Sequence, residues 1–299
     1  MKNERSPESR TVTLIVPGQA TSDGAGVRLF RVIGGPTLPE LDPFLLLDEM
    51  GPVEWAPGEA IGAPDHPHRG FETVTYLLAG HMCHRDSWGN AGELRAGDVQ
   101  WMTAGSGLVH SEMPHPDFAA RGGTIHGFQL WVNLPRASKM MAPRYQEIAA
   151  ADIPRAANAD GLAQARVIAG ECMGTSASIE TVIPITCLHL TIAPGGSLEQ
   201  PLAPELVAMA YCFGGAGEFG PRRTPASDGQ LVLFGDGEAA HVSVPVDAAE
   251  PLEALLLAGP PLGEPVERYG PFVMNSRDEL AQAVQDFQTG RMGSIAPAE

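Results

Sequence analysis

The feature that most restricts the fold is that the second half of the chain repeats the rhythm of the first. Tyr76-Leu77-Leu78-Ala79-Gly80 returns as Tyr211-Cys212-Phe213-Gly214-Gly215, an offset of 135 residues, and Gly97-Asp98-Val99-Gln100-Trp101 returns as Gly229-Gln230-Leu231-Val232-Leu233, an offset of 132. Short apolar runs closed by glycine and repeated at such a spacing are what a duplicated β unit leaves in a sequence. With 35 glycines and 27 prolines in 299 residues, short strands joined by tight turns are expected throughout. The expected fold is therefore all-β, with two tandem antiparallel barrels or jelly rolls over residues 1–145 and 146–299. Residues 1 to about 10 read as a disordered lead, and Pro43–Met50 as a buried apolar strand ending in two acids before a loop from Gly51 to Pro64. A helix is expected only at the end, over 277–289. Ser276 with Glu279 makes a capping box, Leu280, Ala283, Val284 and Phe287 share one face, and Gly290 stands at the stop.

Chemistry concentrates in the first half. In an extended segment, alternate residues point the same way, so His66 and His68 form a two-pronged claw. His110 and Glu112 repeat the spacing, and on adjacent strands the four side chains would bring three nitrogens and one oxygen around a common point. Imidazole with carboxylate and no cysteine suits Fe, Mn, Ni, Co, Cu or Zn in a catalytic rather than a structural site. Glu72 has the right parity in an unbroken strand, so geometry alone leaves it open as the carboxylate. The repeat offsets carry His66 and His68 onto Pro201 and Ala203, and His110 onto Val242. One metal site is expected, in the first half. Isolated His189 and His241 are assigned packing or hydrogen-bonding roles, His81, His115 and His126 none, and Trp101, Trp131 and Phe128 are assigned to the barrel core. Cys83 and His84 lie beside the first barrel's strands without support for a second metal.

A net charge of −17, from 36 acidic and 19 basic residues, works against direct nucleic-acid binding, and no basic cluster exceeds Arg222-Arg223. Cys83, Cys172, Cys187 and Cys212 show no C-x-x-C spacing, which points to free thiols in a reducing compartment. The polar start and the absence of an apolar run near ~20 residues lead to the expectation of a cytoplasmic protein that does not engage a membrane.

Longer segments carry a family likeness. His66-Pro67-His68-Arg69-Gly70-Phe71-Glu72-Thr73, Gln100-Trp101-Met102-Thr103-Ala104-Gly105, His110-Ser111-Glu112-Met113, Gln129-Leu130-Trp131-Val132-Asn133 and Tyr269-Gly270-Pro271-Phe272-Val273-Met274-Asn275 resemble the pirin family of the cupin superfamily, from about Phe44 to Gly293. The resemblance implies a bicupin of two tandem cupin (jelly-roll) barrels with Fe(II) in the N-terminal one, held by His66, His68, His110 and Glu112. It leaves Glu72 to orient a ligand histidine.

Three functions compete. The resemblance implies a dioxygenase that opens a quercetin-like flavonol with O₂ and releases carbon monoxide, with Glu112 taking the proton of the ligand hydroxyl as general base. The rival is a non-enzymatic metal-bearing protein that contacts transcription factors or metabolic enzymes, for which an acidic surface suits protein partners better than DNA. A third reading, an isomerase or epimerase of a sugar or small acid, would work without consuming O₂.

Overall fold

The computed structural model describes residues 8–23 and 26–296, so the disorder expected of residues 1–7 lies outside the described residues. The chain divides into two compact units, one from Gln19–Asp152 joined by the segment after Leu262, the other from Ile153–Pro261 joined by the N-terminal stretch to Gly18. A single cut after residue 145 does not describe this division, because each end of the chain is built into the unit formed mainly by the other half. Val12–Pro17 pairs antiparallel with Gln230–Phe234. Arg10, expected in a loose lead, is 1% exposed, and its guanidinium donates to the carbonyls of Leu206 and Ala203, both at 2.7 Å.

In the first unit, a seven-stranded antiparallel sheet runs in the order Arg144–Ile148, Val99–Thr103, Phe71–Ala79, Gly123–Asn133, Phe44–Trp55, Val27–Ile33, Gln19–Asp23. A four-stranded sheet follows the order Ala63–His68, Leu108–Pro114, His81–Asp86, Ala91–Arg95. Phe71–Ala79 is buried along almost its whole length, as expected of a strand covered on both faces, and Gly80 closes it at φ +110°. The strand from Phe44 does not end at its acids but continues to Trp55. Asp48 and Glu49 are buried mid-strand and tolerated because each has a cationic or imidazole partner. The Arg31 guanidinium grips Asp48 with bonds of 2.9 and 2.7 Å, and His126 Nε2 lies 2.7 Å from Glu49.

The second unit repeats this plan, with sheet orders Val12–Pro17, Gln230–Phe234, Val207–Gly214, Leu252–Gly259, Thr186–Ile192, Ala163–Ala169, Arg155–Ala157 and Ser197–Pro201, Ala239–Ser243, Ala216–Phe219, Thr224–Ser227. Registers confirm the duplication. Tyr76 faces Val99 as Tyr211 faces Leu231, which reproduces the offsets of 135 and 132. They also correct one transfer: His110 faces His66 and Leu108 faces His68, while Val242 faces Leu198 and Ala240 faces Gln200. The counterparts of the claw are thus Leu198 and Gln200, not Pro201 and Ala203, since the offset along these strands is 132 and shifts to 135 only after the following turn. Leu198 and Val242 join a closed apolar core with Leu188, Leu256 and Phe219, and nothing in that set ligates a metal.

The chain after Leu262 forms a hairpin, Glu267–Tyr269 with Phe272–Met274, and then the helix Arg277–Gln288. Ser276 Oγ accepts from the Glu279 amide as expected, whereas the Glu279 carboxylate reaches back one residue further, to the Asn275 amide at 3.0 Å. Leu280 and Ala283 pack with Phe272, Met274 and Val109, so the helix belongs to the first unit rather than closing the second.

Candidate metal centre

Strand alternation and one cross-strand register assemble the site. His66 and His68 project from Ala63–His68, and His110, directly opposite His66 on Leu108–Pro114, joins them. Ring centroids are separated by 4.7 Å (His66–His68), 4.3 Å (His66–His110) and 4.9 Å (His68–His110), and one nitrogen from each ring lies within 4.8 Å of the others. The pleat shifts between His110 and Glu112. Glu112 stands outside that tight grouping but lines the same cavity as His66 and His68, with Oε1 accepting from Thr75 Oγ1 at 2.9 Å. Glu72 is fully buried and turned away from the cavity, accepting from Thr103 Oγ1 at 2.7 Å. Burial raises its carboxyl pKa.

These residues fit a divalent cation. His66 Nδ1 lies 2.7 Å from the Pro64 carbonyl; donating there fixes the tautomer and leaves Nε2 as a lone-pair donor. Nδ1 of His68 and both nitrogens of His110 are buried without a hydrogen-bond partner, an arrangement proteins rarely leave uncompensated. Burial first, and then the neighbouring imidazoles, push His68 and His110 well below the ordinary imidazole value, so both offer neutral nitrogens at neutral pH.

The C-terminal return braces the claw. Arg69 is buried, and its guanidinium donates to the Ser106 carbonyl at 2.7 Å and to Asp286 of the helix at 2.8 Å. Lys139 ties Gly70 O, Asn133 Oδ1 and Val273 O at 2.7, 2.6 and 3.2 Å. The motifs around His68 and around Phe272 are thus one structural unit although about 200 residues separate them.

The cavity above the histidines has a volume of about 550 Å³, within the usual range for small-molecule sites. Its walls are chiefly apolar, including Leu29, Leu46, Met50, Leu77 and Ile125. Four contributors were not expected from sequence. Trp131, assigned to the core, lines it with its ring 5.3 Å from that of His68, whereas Trp101 and Phe128 are core as expected. Cys83 and His84 lie on its wall, His84 paired with Glu147 and stacked 5.2 Å from Tyr145. Arg268 also lines it.

A second grouping, His81, Glu93 and His115, is arranged differently. His115 Nδ1 accepts from the Asp117 amide, so Nε2 carries the proton, and the His81 and His115 rings stack 3.9 Å apart at 11°. Lone pairs of parallel rings do not converge; the Glu93 carboxylate bridges the two rings.

Fold and site together define a bicupin with one imidazole-rich pocket and one filled barrel. The Pirin family model matches residues 26–132, and the model of the Pirin C-terminal cupin domain matches residues 187–293. A Pirin-like protein of Solanum lycopersicum is 45% identical over 287 residues, covering 95% of this chain and 93% of the relative. Pirin of Homo sapiens is 41% identical over 290 residues, covering 95% and 94%. The chain belongs to the pirin family. A crystal structure of quercetin 2,3-dioxygenase from Acinetobacter baumannii superimposes with a TM-score of 0.88 at 35% identity, covering 96% of this chain and 99% of that one. Among the described residues no helix is long and apolar enough to cross a membrane.

Proposed function

We propose that this protein is an Fe(II)-dependent dioxygenase that opens the central ring of a quercetin-like flavonol, with both atoms of O₂ incorporated and one ring carbon released as carbon monoxide. The observation that carries the reading is the apolar cavity of about 550 Å³ that His66, His68 and Glu112 line and otherwise mostly carbon surrounds. Similarity to the Acinetobacter quercetin 2,3-dioxygenase supports it. His66, His68, His110 and Glu112 would hold the metal, which supplies Lewis acidity and a redox route to O₂ when bound. The protein's own part is positioning and proton transfer. Thr75 holds one Glu112 oxygen, so the carboxylate is oriented to take the proton of the ligand hydroxyl. The apolar walls exclude water from the ring being opened. Free Cys83, Cys172, Cys187 and Cys212 support a reducing, cytoplasmic setting.

The test is an oxygen electrode with carbon monoxide detection, using quercetin and protein loaded in turn with Fe, Mn, Co and Ni. Matched O₂ uptake, carbon monoxide release and flavonol loss are expected with at least one metal. Silence with all four overturns the dioxygenase reading.

A further inference from the structure

Among the described residues that line the cavity, Arg268 is the one arginine or lysine. Arg268, on the short strand Glu267–Tyr269 of the C-terminal return, lays its guanidinium carbon 4.7 Å from the centre of the Trp131 ring. Trp131 in turn lies 5.3 Å from the His68 ring. The guanidinium therefore sits no further than 10.0 Å, the sum of these two distances, from the His68 ring.

Its hydrogen-bonding capacity is mostly unspent. One bond is given, from Nη1 to the Leu45 carbonyl at a long 3.3 Å, and no carboxylate among the described residues lies within ion-pairing distance. Asp48, the buried acid of the same wall, has both oxygens taken by Arg31 at 2.9 and 2.7 Å. Arg10 and Arg69, by contrast, are spent on carbonyls and on Asp286. A guanidinium over an indole that lines a cavity with most of its donors unspent is suited to a planar oxyanion.

We propose that Arg268, oriented by Trp131, is a specificity-determining residue that selects aromatic ligands carrying an anionic oxygen, a carboxylate or an ionised phenol, at the Trp131 wall of the cavity. This deepens the reading of the cavity as a substrate site and rests on it. The apolar walls accept the ring system, the histidine end takes the chelating oxygens, and Arg268 reads the distal charge. A flavonol with a free, acidic distal hydroxyl meets these demands; its distal O-methyl ether does not.

Isothermal titration calorimetry on the metal-loaded protein separates the possibilities without relying on turnover. The probes are quercetin, a quercetin ether methylated on its distal hydroxyls with the chelating hydroxyl intact, and an aromatic carboxylate of similar size, with Arg268→Gln and Arg268→Lys. Arg268→Gln is expected to weaken the two anionic ligands by about tenfold and the ether by less than about twofold, while Arg268→Lys recovers part of the loss. If only the carboxylate responds, the selected anion is a carboxylate; if only quercetin responds, it is a phenolate. Equal effects of Arg268→Gln on all three probes, or none on any, overturn the assignment of Arg268. If wild type binds none of them, the reading of the cavity as an aromatic-substrate site fails first.

Discussion

Gly70 offers the sharpest check on how the claw is held. It follows His68 by two residues, has φ +91°, and an added Cβ would meet the backbone carbonyl of Val273, with Met274 Sδ at 3.0 Å. Gly89 has nearly the same backbone, φ +87°, but open space around its absent Cβ. Both alanine variants incur about 1–2 kcal/mol for a left-handed residue with a side chain. Gly70→Ala alone must also move the C-terminal hairpin, and forced overpacking adds about 1–3 kcal/mol. The difference between the two is therefore expected to be about 1–3 kcal/mol, measured from urea denaturation curves of the metal-free proteins. Because the displaced strand braces the segment that carries His68, Gly70→Ala should also weaken metal retention in a competition titration, whereas Gly89→Ala should not. Equal destabilisation by both substitutions, with metal affinity untouched, would falsify the claim that close packing of this hairpin positions the claw.

Burial draws the Lys139 ammonium from 10.5 to about 8, so the folded protein sheds this proton before the unfolded chain does. Stability relative to Lys139→Met is thus expected to rise as pH goes from 8 to 10.5, by at most about 3 kcal/mol; a pH-independent difference between their denaturation curves would contradict it. Glu112→Gln is expected to weaken metal binding by at least about tenfold, while Glu72→Gln, whose parent carboxyl burial already pushes toward the neutral form, leaves metal binding nearly unchanged. The reverse order of effects in a metal titration would make Glu72 the ligand.

What could be read from sequence was what strand geometry dictates locally. Alternation alone puts His66 beside His68, and the repeated glycine-closed runs disclose the duplication, whose offsets reappear in the registers of Tyr76 and Tyr211. Lost were features that depend on insertions, pleat shifts or distant pairing. From the claw to the central tyrosine, His68 to Tyr76, the second lobe has three more residues than the first, Gln200 to Tyr211; a constant offset therefore missed Leu198 and Gln200. Alternation puts Trp131 on the same face of its strand as Gln129 and opposite Phe128, but only the fold shows that this face lines the cavity. Arg268 and Asp286 reach the site from the far end of the chain. The Arg69-Gly70 and Phe272-Val273 segments were visible as motifs, but only the fold explains them as two sides of one contact. Likewise the Val12–Pro17 strand is a plain apolar run whose partner, Gln230–Phe234, lies across most of the sequence.

The central claim is that three imidazoles of the first barrel hold a divalent ion while the second barrel holds none. Elemental analysis of the purified protein beside His68→Ala and His110→Ala tests it most directly, with circular dichroism to establish that the variants remain folded. The account predicts about one equivalent of a first-row divalent metal in the wild type and its loss from both folded variants. Undiminished metal in either folded variant, or a second equivalent that survives in both, would contradict it.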